Sequence, residues 1–205
     1  MNKIITISRE FGSGGRELGK RLAEDLGYAY YDQEIIRQIA NRTGMAEKYV
    51  EHMTDTPPVY SYPIHIGLSF MFLENPVWEQ NQRIFKEQCD VIHEAAERSN
   101  CVFVGRCADY ILQDYKPFRL FVYSSMEAKM KRCREKGSEP ADMSDRELQR
   151  KIKAINKNRS QYYEFFTNQK WSDPLNYDLC INTTGHSIKN IAQTVANLER
   201  QEALK

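Results

Sequence analysis

The chain lacks an excess of charge of either sign. Its 205 residues include 29 Lys and Arg and 28 Asp and Glu, which gives a formal net charge of +1 at pH 7. Proteins that bind the phosphate backbone of nucleic acids usually carry a clear basic excess. The basic residues also lack the interleaved aromatic stripe on which single strands stack. We therefore expect no nucleic-acid partner.

Long apolar runs are missing as well. No stretch approaches the about 18 consecutive apolar residues that a transmembrane helix needs. No charged start is followed by an apolar run and a cleavage site of the signal-peptide kind. The sequence indicates neither membrane insertion nor export, and we expect a cytoplasmic protein.

Paired cysteines and metal-type spacings are absent too. The five cysteines are odd in number, scattered and without a C-x-x-C pair, which argues against a disulfide scaffold and a zinc site. The four histidines show no metal spacing. The cysteines are expected to be reduced.

The most informative segment lies at the N-terminus. An apolar, β-rich run at 3–8 leads into a loop with Gly12, Gly14 and Gly15, and a helix with an apolar stripe follows at 15–26. Glycines let backbone N–H groups turn inward, and the start of a helix adds the positive end of its dipole. This arrangement predicts an anion-binding loop.

The loop departs from the phosphate-loop rule G-x-x-x-x-G-K-[ST]. Where that rule asks for Lys and then Ser or Thr, the chain has Gly15, Arg16 and Glu17. A literal match that ends at Lys20 places this lysine inside the helix, more than a turn from its start, where it is expected to cover an exposed face.

Strand-like runs alternate with helical patterns over the rest of the chain, which predicts an α/β fold with a mostly parallel five-stranded sheet. The strands are predicted at 3–8, 29–31, 101–104, 118–123 and 179–182. The helices are predicted at 15–26, 33–42, 46–53, 77–98, 126–136, 144–168 and 186–203. The length suits a single domain that spans 1–205.

The apolar segment 64–73 has three possible roles: a core helix, a partner surface or a flap over a substrate.

An ordered set of motifs runs through nearly the whole chain. The motifs are S-R-E-F-G-S-G-G-R-E at 8–17, Y-D at 31–32, V-G-R-C-A-D-Y at 104–110, N-R-S-Q-Y-Y at 158–163 and Y-D-L-C-I-N-T at 177–183. In these motifs and their order the chain resembles the cytidylate kinase-like family of P-loop nucleoside monophosphate kinases. The resemblance implies a P-loop NTPase-type three-layer sandwich with a mobile acceptor-binding part at about 33–98 and a helical lid at about 126–170.

The resemblance also implies a donor-phosphate site in the first motif. Its residues would be Arg9, Gly12, Ser13, Gly14, Gly15, Arg16 and Glu17. Arg16 or Arg9 could replace the missing lysine. A lysine introduced at position 15 is expected to restore a conventional loop and raise activity, provided that Glu17 does not hold the new ammonium in a salt bridge. Arg16 and the lid residue Arg159 are the predicted catalytic residues. Arg159 could instead form an ordinary surface i,i+4 pair.

The acceptor site implied by the resemblance comprises Asp32, Arg37, Arg106 and Asp109. Arg106, at the end of a buried strand, would hold the acceptor phosphate through two hydrogen bonds, or else form a salt bridge with Asp109. Asp32 could help to bind the acceptor or a metal, or it could cap the helix that follows it. Ser13 and Glu17 are the candidate metal ligands, although Glu17 could simply help to start its helix.

The function implied is ATP-dependent phosphoryl transfer to a nucleoside monophosphate, cytidylate or a related small phosphorylated acceptor, with Mg²⁺ as cofactor. Phosphoryl transfer depends mainly on positioning and on positive charge around the moving group. The expected partners are nucleotide substrates, and the protein is expected to be a monomer or homodimer. The alternative is a non-catalytic nucleotide- or anion-binding module with a degenerate phosphate loop.

Overall fold

The computed structural model describes residues 2–56, 58, 76–137, 140 and 142–202. Its five strands form one parallel sheet in the order β2-β3-β1-β4-β5. The strands are β1 (Ile4–Arg9), β2 (Ala29–Tyr31), β3 (Cys101–Val104), β4 (Phe118–Tyr123) and β5 (Leu179–Asn182). The predicted α/β fold with a parallel five-stranded sheet is confirmed.

Helices connect the strands. They are α1 (Gly15–Leu26), α2 (Gln33–Thr43), α3 (Glu47–Asp55), α4 (Pro76–Arg98), α5 (Ala108–Ile111), α6 (Met126–Glu135), α7 (Asp145–Thr167) and α8 (Ile188–Glu202). Short 3₁₀ turns lie at Gln113–Tyr115 and Pro174–Asn176. The helix α1 begins and ends where its apolar stripe predicts. Ser144 and Glu147 form a capping box that fixes the start of α7.

The sheet separates two apolar cores because successive side chains of a strand point to opposite faces. On one face Ile5 and Ile7 of β1 pack with Leu18 and Leu22 of α1, and α8 joins them. The other face carries the cluster that includes Ile4, α2 and α4. Helices therefore cover both faces of the sheet, which gives the three layers.

All the strands run in the same direction, so the segments that follow them meet at one edge of the sheet. β1 leads into the glycine loop, β2 into Asp32 and β3 into Gly105 and Arg106. β1 lies between β3 and β4, and the chain builds outward on both sides of it. Open α/β sheets bind ligands at such a point of reversal, outside the carboxyl ends of the strands.

The segment 64–73 lies outside the described residues. Within the described residues, no helix combines the length and apolar character that a membrane span requires. The single domain at 1–205, the mobile part at 33–98, the lid at 126–170 and the oligomeric state stay predictions.

The close approach of α1 to the sheet can be tested at Gly19. A Cβ at this position would lie 2.7 Å from Val104 Cγ2 and 3.1 Å from Ile7 Cδ1. We expect Gly19→Val to lower the free energy of unfolding by about 1–3 kcal/mol, because the core there has no room for the added methyl groups. The measurement is urea denaturation.

Lys20→Val is the matched control, since it puts the same β-branched residue at the next position of α1. The Lys20 side chain is 69% exposed, so we expect a change of no more than about 0.5 kcal/mol. Equal losses in both variants would contradict the close packing of α1 on β1 and β3.

Candidate functional site

The glycine loop forms one wall of a cleft of about 200 Å³. Gly12 and Gly14 have φ angles of 75° and 87°, which favour glycine, and Gly14 is the N-cap residue of α1. Gly12, Gly14 and Gly15 line the cleft. The loop thus presents backbone and the start of a twelve-residue helix to the cleft, as an anion site requires.

Basic side chains outnumber acidic ones in the lining of this cleft. The basic lining residues are Arg9, Arg16, Arg132, Lys136 and Arg159, and the acidic ones are Glu10 and Glu17. They come from β1, α1, α6 and α7 and the segments next to them. The cleft is therefore electropositive and suited to phosphate groups.

Arg16 reaches across the sheet edge to the carboxylate that follows β2. Its Nε lies 2.6 Å from Asp32 Oδ2. Asp32 occupies the N-cap position of α2, but its side chain accepts no capping hydrogen bond there, so the capping alternative is wrong. Burial, and then the charge of Asp32, raise the pKa of neighbouring Tyr30 to about 12.

Arg106 lies in a strained turn after β3. Gly105, Arg106 and Cys107 have φ angles of 74°, 61° and 54°, and the left-handed region is unfavourable for the last two. A hydrogen bond of 2.9 Å from the buried Gln88 Nε2 to the Arg106 carbonyl holds this turn. Strain of this kind concentrates at functional sites.

The Arg106 side chain is 4% exposed. Its Nη1 donates to Thr54 Oγ1 and to Asp55 Oδ1, the latter at 3.1 Å. The alternative of a salt bridge with Asp109 is wrong, because the left-handed turn directs the guanidinium toward α3. Arg106 Nε is buried without a hydrogen-bond partner.

Three predicted acceptor residues line neither the cleft nor the pocket that contains Arg106: Asp32, which contacts the cleft residue Arg16, and also Asp109 and Arg37. Asp109 is buried on α5 and accepts a hydrogen bond of 2.7 Å from Tyr163 Oη, which ties α5 to α7. Burial raises the pKa of Asp109, against the effect of the Tyr163 hydrogen bond. Arg37 lies on the exposed side of α2 and pairs with Glu34 at 3.3 Å.

Arg159 reaches the site from α7. Its Nη1 donates to the Arg9 carbonyl at 3.2 Å, and its Nε is buried without a partner. The alternative of a surface pair on α7 is therefore wrong. Burial, and then the charge of Arg9, lower the pKa of Arg159 to about 9. Burial likewise lowers the pKa of Arg9 to about 10, with Asp32 opposing.

A second, narrow cavity of about 30 Å³ lies beside the cleft. Arg9 and Arg159 line both spaces, and Arg106 and Asp55 line the narrow one only. Tyr162 also borders it, with a buried hydroxyl that has no hydrogen-bond partner. Buried polar atoms without partners are rare in proteins, so these groups indicate a place for an anion or water.

A family profile described as the cytidylate kinase-like family matches residues 4–185. The chain belongs to this family. A cytidylate kinase from Haloarcula marismortui is 23% identical over 182 residues, which cover 88% of this chain and 80% of that protein. The region that the family profile matches, residues 4–185, includes the glycine loop, Asp32, Arg106 and Arg159.

Solved structures share the fold. An uncharacterized protein from Eubacterium ventriosum has a TM-score of 0.69 at 24% identity and covers 96% of this chain, with 98% of its own chain covered. A shikimate kinase from Acinetobacter baumannii, in complex with shikimate, has a TM-score of 0.54 at 18% identity, with 100% of this chain and 97% of that chain covered. The chain thus shares its fold with a shikimate kinase.

The predicted metal ligands of this cytidylate kinase-like chain do not fit Mg²⁺. Ser13 is fully buried, and its Oγ donates to the Glu10 carbonyl at 2.8 Å. Glu17 is paired with Lys136 at 2.5 Å and with Arg21 at 3.0 Å, and the hydrogen bond from Lys136 is the main cause of its lowered pKa. Among the described residues, no three His, Cys, Asp or Glu side chains cluster as a metal site.

Sequence reasoning did not single out several residues of the site. Arg132 Nη1 donates to the Gly12 carbonyl at 2.6 Å, and Lys136 lies four residues further along, over the same cleft. Their i,i+4 spacing within the basic stretch of 126–136 was the available signal. Nothing in the sequence indicates Thr54 and Asp55, because they meet Arg106 across more than fifty residues.

The excess of buried positive charge predicts stabilisation by anions. We expect inorganic phosphate at about ten times its dissociation constant to stabilise the fold by about 1.4 kcal/mol, which corresponds to a rise in Tm of about 3–6 °C. Arg159→Gln should reduce this rise, because it removes a guanidinium that lines both cavities. The measurement is thermal unfolding in phosphate against chloride at equal ionic strength.

Lys157→Gln is the matched control on the same helix. Lys157 is exposed and does not line either cavity, so this variant should keep the full response to phosphate. A wild-type Tm that responds equally to phosphate and chloride would contradict the anion site.

Proposed function

We propose that this protein transfers the γ-phosphoryl group of ATP to a small phosphorylated acceptor. The acceptor that we propose is a nucleoside monophosphate. The observation that carries the proposal is that Arg9 and Arg159 line both the glycine-loop cleft and the adjoining narrow cavity. Two positive groups therefore lie between a space suited to a donor and a space suited to an acceptor. Charge at this position stabilises a transferring phosphoryl group.

The cleft is the proposed donor site. The glycine loop supplies backbone at the start of α1, and Arg16, Arg132 and Lys136 add positive charge around it. These groups suit the triphosphate of ATP, since both the helix start and the cations attract phosphate. The name of the Haloarcula relative, a cytidylate kinase, supports a nucleotide substrate.

The narrow cavity is the proposed acceptor-phosphate site, with Arg106 as its main ligand. Its volume of about 30 Å³ accommodates about two water molecules, so the neighbouring side chains must move apart before a phosphate enters. The Asp55 carboxylate now lies 3.1 Å from Arg106. An acceptor phosphate would take the place of this carboxylate and bind the same guanidinium.

The alternative function is nucleotide or anion binding without turnover. The observation in its favour is that Glu17 lies near the place where the phosphate-loop rule has a metal-binding hydroxyl, and that two cations already neutralise it. A site that binds phosphate through arginines alone can hold a nucleotide without transferring its phosphoryl group.

The two functions are separated by a coupled assay for ADP formation with ATP and a panel of nucleoside monophosphates. Acceptor-dependent turnover with at least one of them supports the kinase. Binding of ATP with no turnover on any acceptor, cytidylate included, would reject it in favour of the binding module.

The acceptor site can be tested at Arg106. We expect Arg106→Gln to weaken monophosphate binding by about 2 kcal/mol, the usual cost of losing a charged hydrogen bond, and to leave ATP binding nearly unchanged. Calorimetric titration with each nucleotide measures both values.

Arg119→Gln serves as the control for the loss of an arginine. Arg119 pairs with Asp178 at 2.8 Å, on the exposed surface at the opposite edge of the sheet, and its replacement should change neither affinity. A loss of ATP binding in Arg106→Gln with monophosphate binding retained would reverse the assignment of the two sites.

A further inference from the structure

Arg9 occupies a position where the phosphate-loop rule has glycine. When the glycine before the lysine is aligned with Gly14, and the lysine with position 15, the first glycine of the rule falls on position 9. In this chain that residue is the last of β1, with a side chain only 10% exposed. The loop therefore differs from the rule at both ends, with a cation where glycine is usual and a glycine where the cation is usual.

These two differences are linked by space. A Cβ at Gly15 would lie 2.5 Å from Arg9 Cβ, 3.0 Å from Arg9 Cγ and 3.3 Å from Val122 Cβ. No side chain fits at position 15 while the stem of Arg9 is present. The expectation that a lysine at 15 restores a conventional loop is therefore wrong for the wild-type background.

The guanidinium of Arg9 lies at the junction of the two cavities. A Cβ at Gly105 would lie 1.8 Å from Arg9 Nη1, so the guanidinium lies directly against the strained turn that carries Arg106. Arg9 Nη2 is 4.0 Å from Asp32 Oδ1, which is beyond hydrogen-bond distance, and that oxygen has no hydrogen-bond partner. Among the described residues, Arg9 is thus buried next to an acid with which it forms no close ion pair.

Three of the other four cations of the cleft are more fully engaged, and the fourth, Arg159, donates to the Arg9 carbonyl. Arg16 is held by Asp32 at 2.6 Å, Arg132 by the Gly12 carbonyl at 2.6 Å and Lys136 by Glu17 at 2.5 Å. Arg16 is also 58% exposed, so water screens its charge. These contacts make Arg9 a better replacement for the missing lysine than Arg16.

We propose that Arg9 and Gly15 have exchanged the roles that the rule gives to these two positions, and that the Arg9 guanidinium contacts the phosphoryl group under transfer. This inference rests on the proposed function. In the step, an acceptor phosphate oxygen bonds to the γ-phosphorus. The bond from that phosphorus to the β–γ bridging oxygen breaks, and its electron pair stays on ADP. Arg9 remains protonated and stabilises charge on the moving group.

The first experiment replaces Arg9 with methionine, which keeps the stem against Gly15 and removes the charge. In the absence of anions we expect the Tm to stay the same or to rise, because a buried charge is lost. Affinity for inorganic phosphate and for ATP should fall about tenfold or more. Unchanged affinity for both would overturn the proposal.

The second experiment tests the exchange itself in a double-mutant cycle. Gly15→Lys alone should lower both the Tm and the ATP affinity, because its Cβ meets the stem of Arg9. Arg9→Gly removes both the obstacle and the cation. The double variant Arg9→Gly with Gly15→Lys should bind ATP at least about tenfold more tightly than either single variant, since the lysine then has both space and a phosphate to contact.

A neutral double variant separates charge from packing. Arg9→Gly with Gly15→Met fills the same space and should recover the Tm without the affinity. Equal affinity in the lysine and methionine double variants would reject the exchange, as would additive effects of the two single changes on ATP binding.

These readouts are distinct from those that test the kinase. One possible outcome is that positions 9 and 15 are coupled in ATP binding while the wild-type protein has no turnover on any acceptor. This outcome would support the exchanged cation and reject the kinase. Turnover in the wild type with no coupling in binding would retain the kinase and reject the exchange.

Discussion

Four arginines meet two carboxylates at the carboxyl edge of the sheet, and this imbalance of charge governs the site. Arg9, Arg16, Arg106 and Arg159 come from separate elements, whereas Asp32 and Asp55 are the acids paired with them. Taking a guanidinium out of water is expensive unless an opposite charge replaces the water. An anionic ligand would supply that charge, so the stability of the site and its capacity to bind phosphate have the same origin.

The sheet makes this arrangement possible. β1 and β3 are neighbours in the parallel sheet, with Ile7 opposite Val104, so the residues that follow both strands must emerge side by side. Both strands are buried throughout and are held by helices on the two faces. A rigid scaffold of this kind can hold the left-handed turn at 105–107. An isolated loop would leave this strained backbone conformation.

The elements of the fold were predictable because each one leaves a local pattern. Apolar runs alternate with segments that have a helix-type apolar stripe. This pattern predicted the ends of all five strands to within one residue and the observed bounds of α1. The glycine loop followed from the same local reasoning. The partners of the charged residues could not be predicted in this way. A carboxylate such as Asp55 forms no local sequence pattern with an arginine fifty-one residues away.

For the same reason the local alternatives given for Arg106, Arg159 and Asp32 proved wrong. Asp109 lies three residues from Arg106 and was the natural partner by sequence distance, yet the positive φ of Arg106 directs its side chain away from α5. Asp32 precedes α2 and suits a capping role, yet Arg16 offers it a full ion pair. In both cases a contact between elements is stronger than the local hydrogen bond that the sequence suggests.

The loop also shows that a sequence motif depends on which positions have room for a side chain. The rule G-x-x-x-x-G-K-[ST] leaves one position empty so that a long cation can start from another, and the same space admits the reverse arrangement. The reverse is not chemically identical. An ammonium is a compact charge, whereas a guanidinium is a planar fork whose donors can contact two oxygens at once. A fork that lines both cavities is suited to an oxygen of the donor and an oxygen of the acceptor together, which a lysine at position 15 could not contact in the same way.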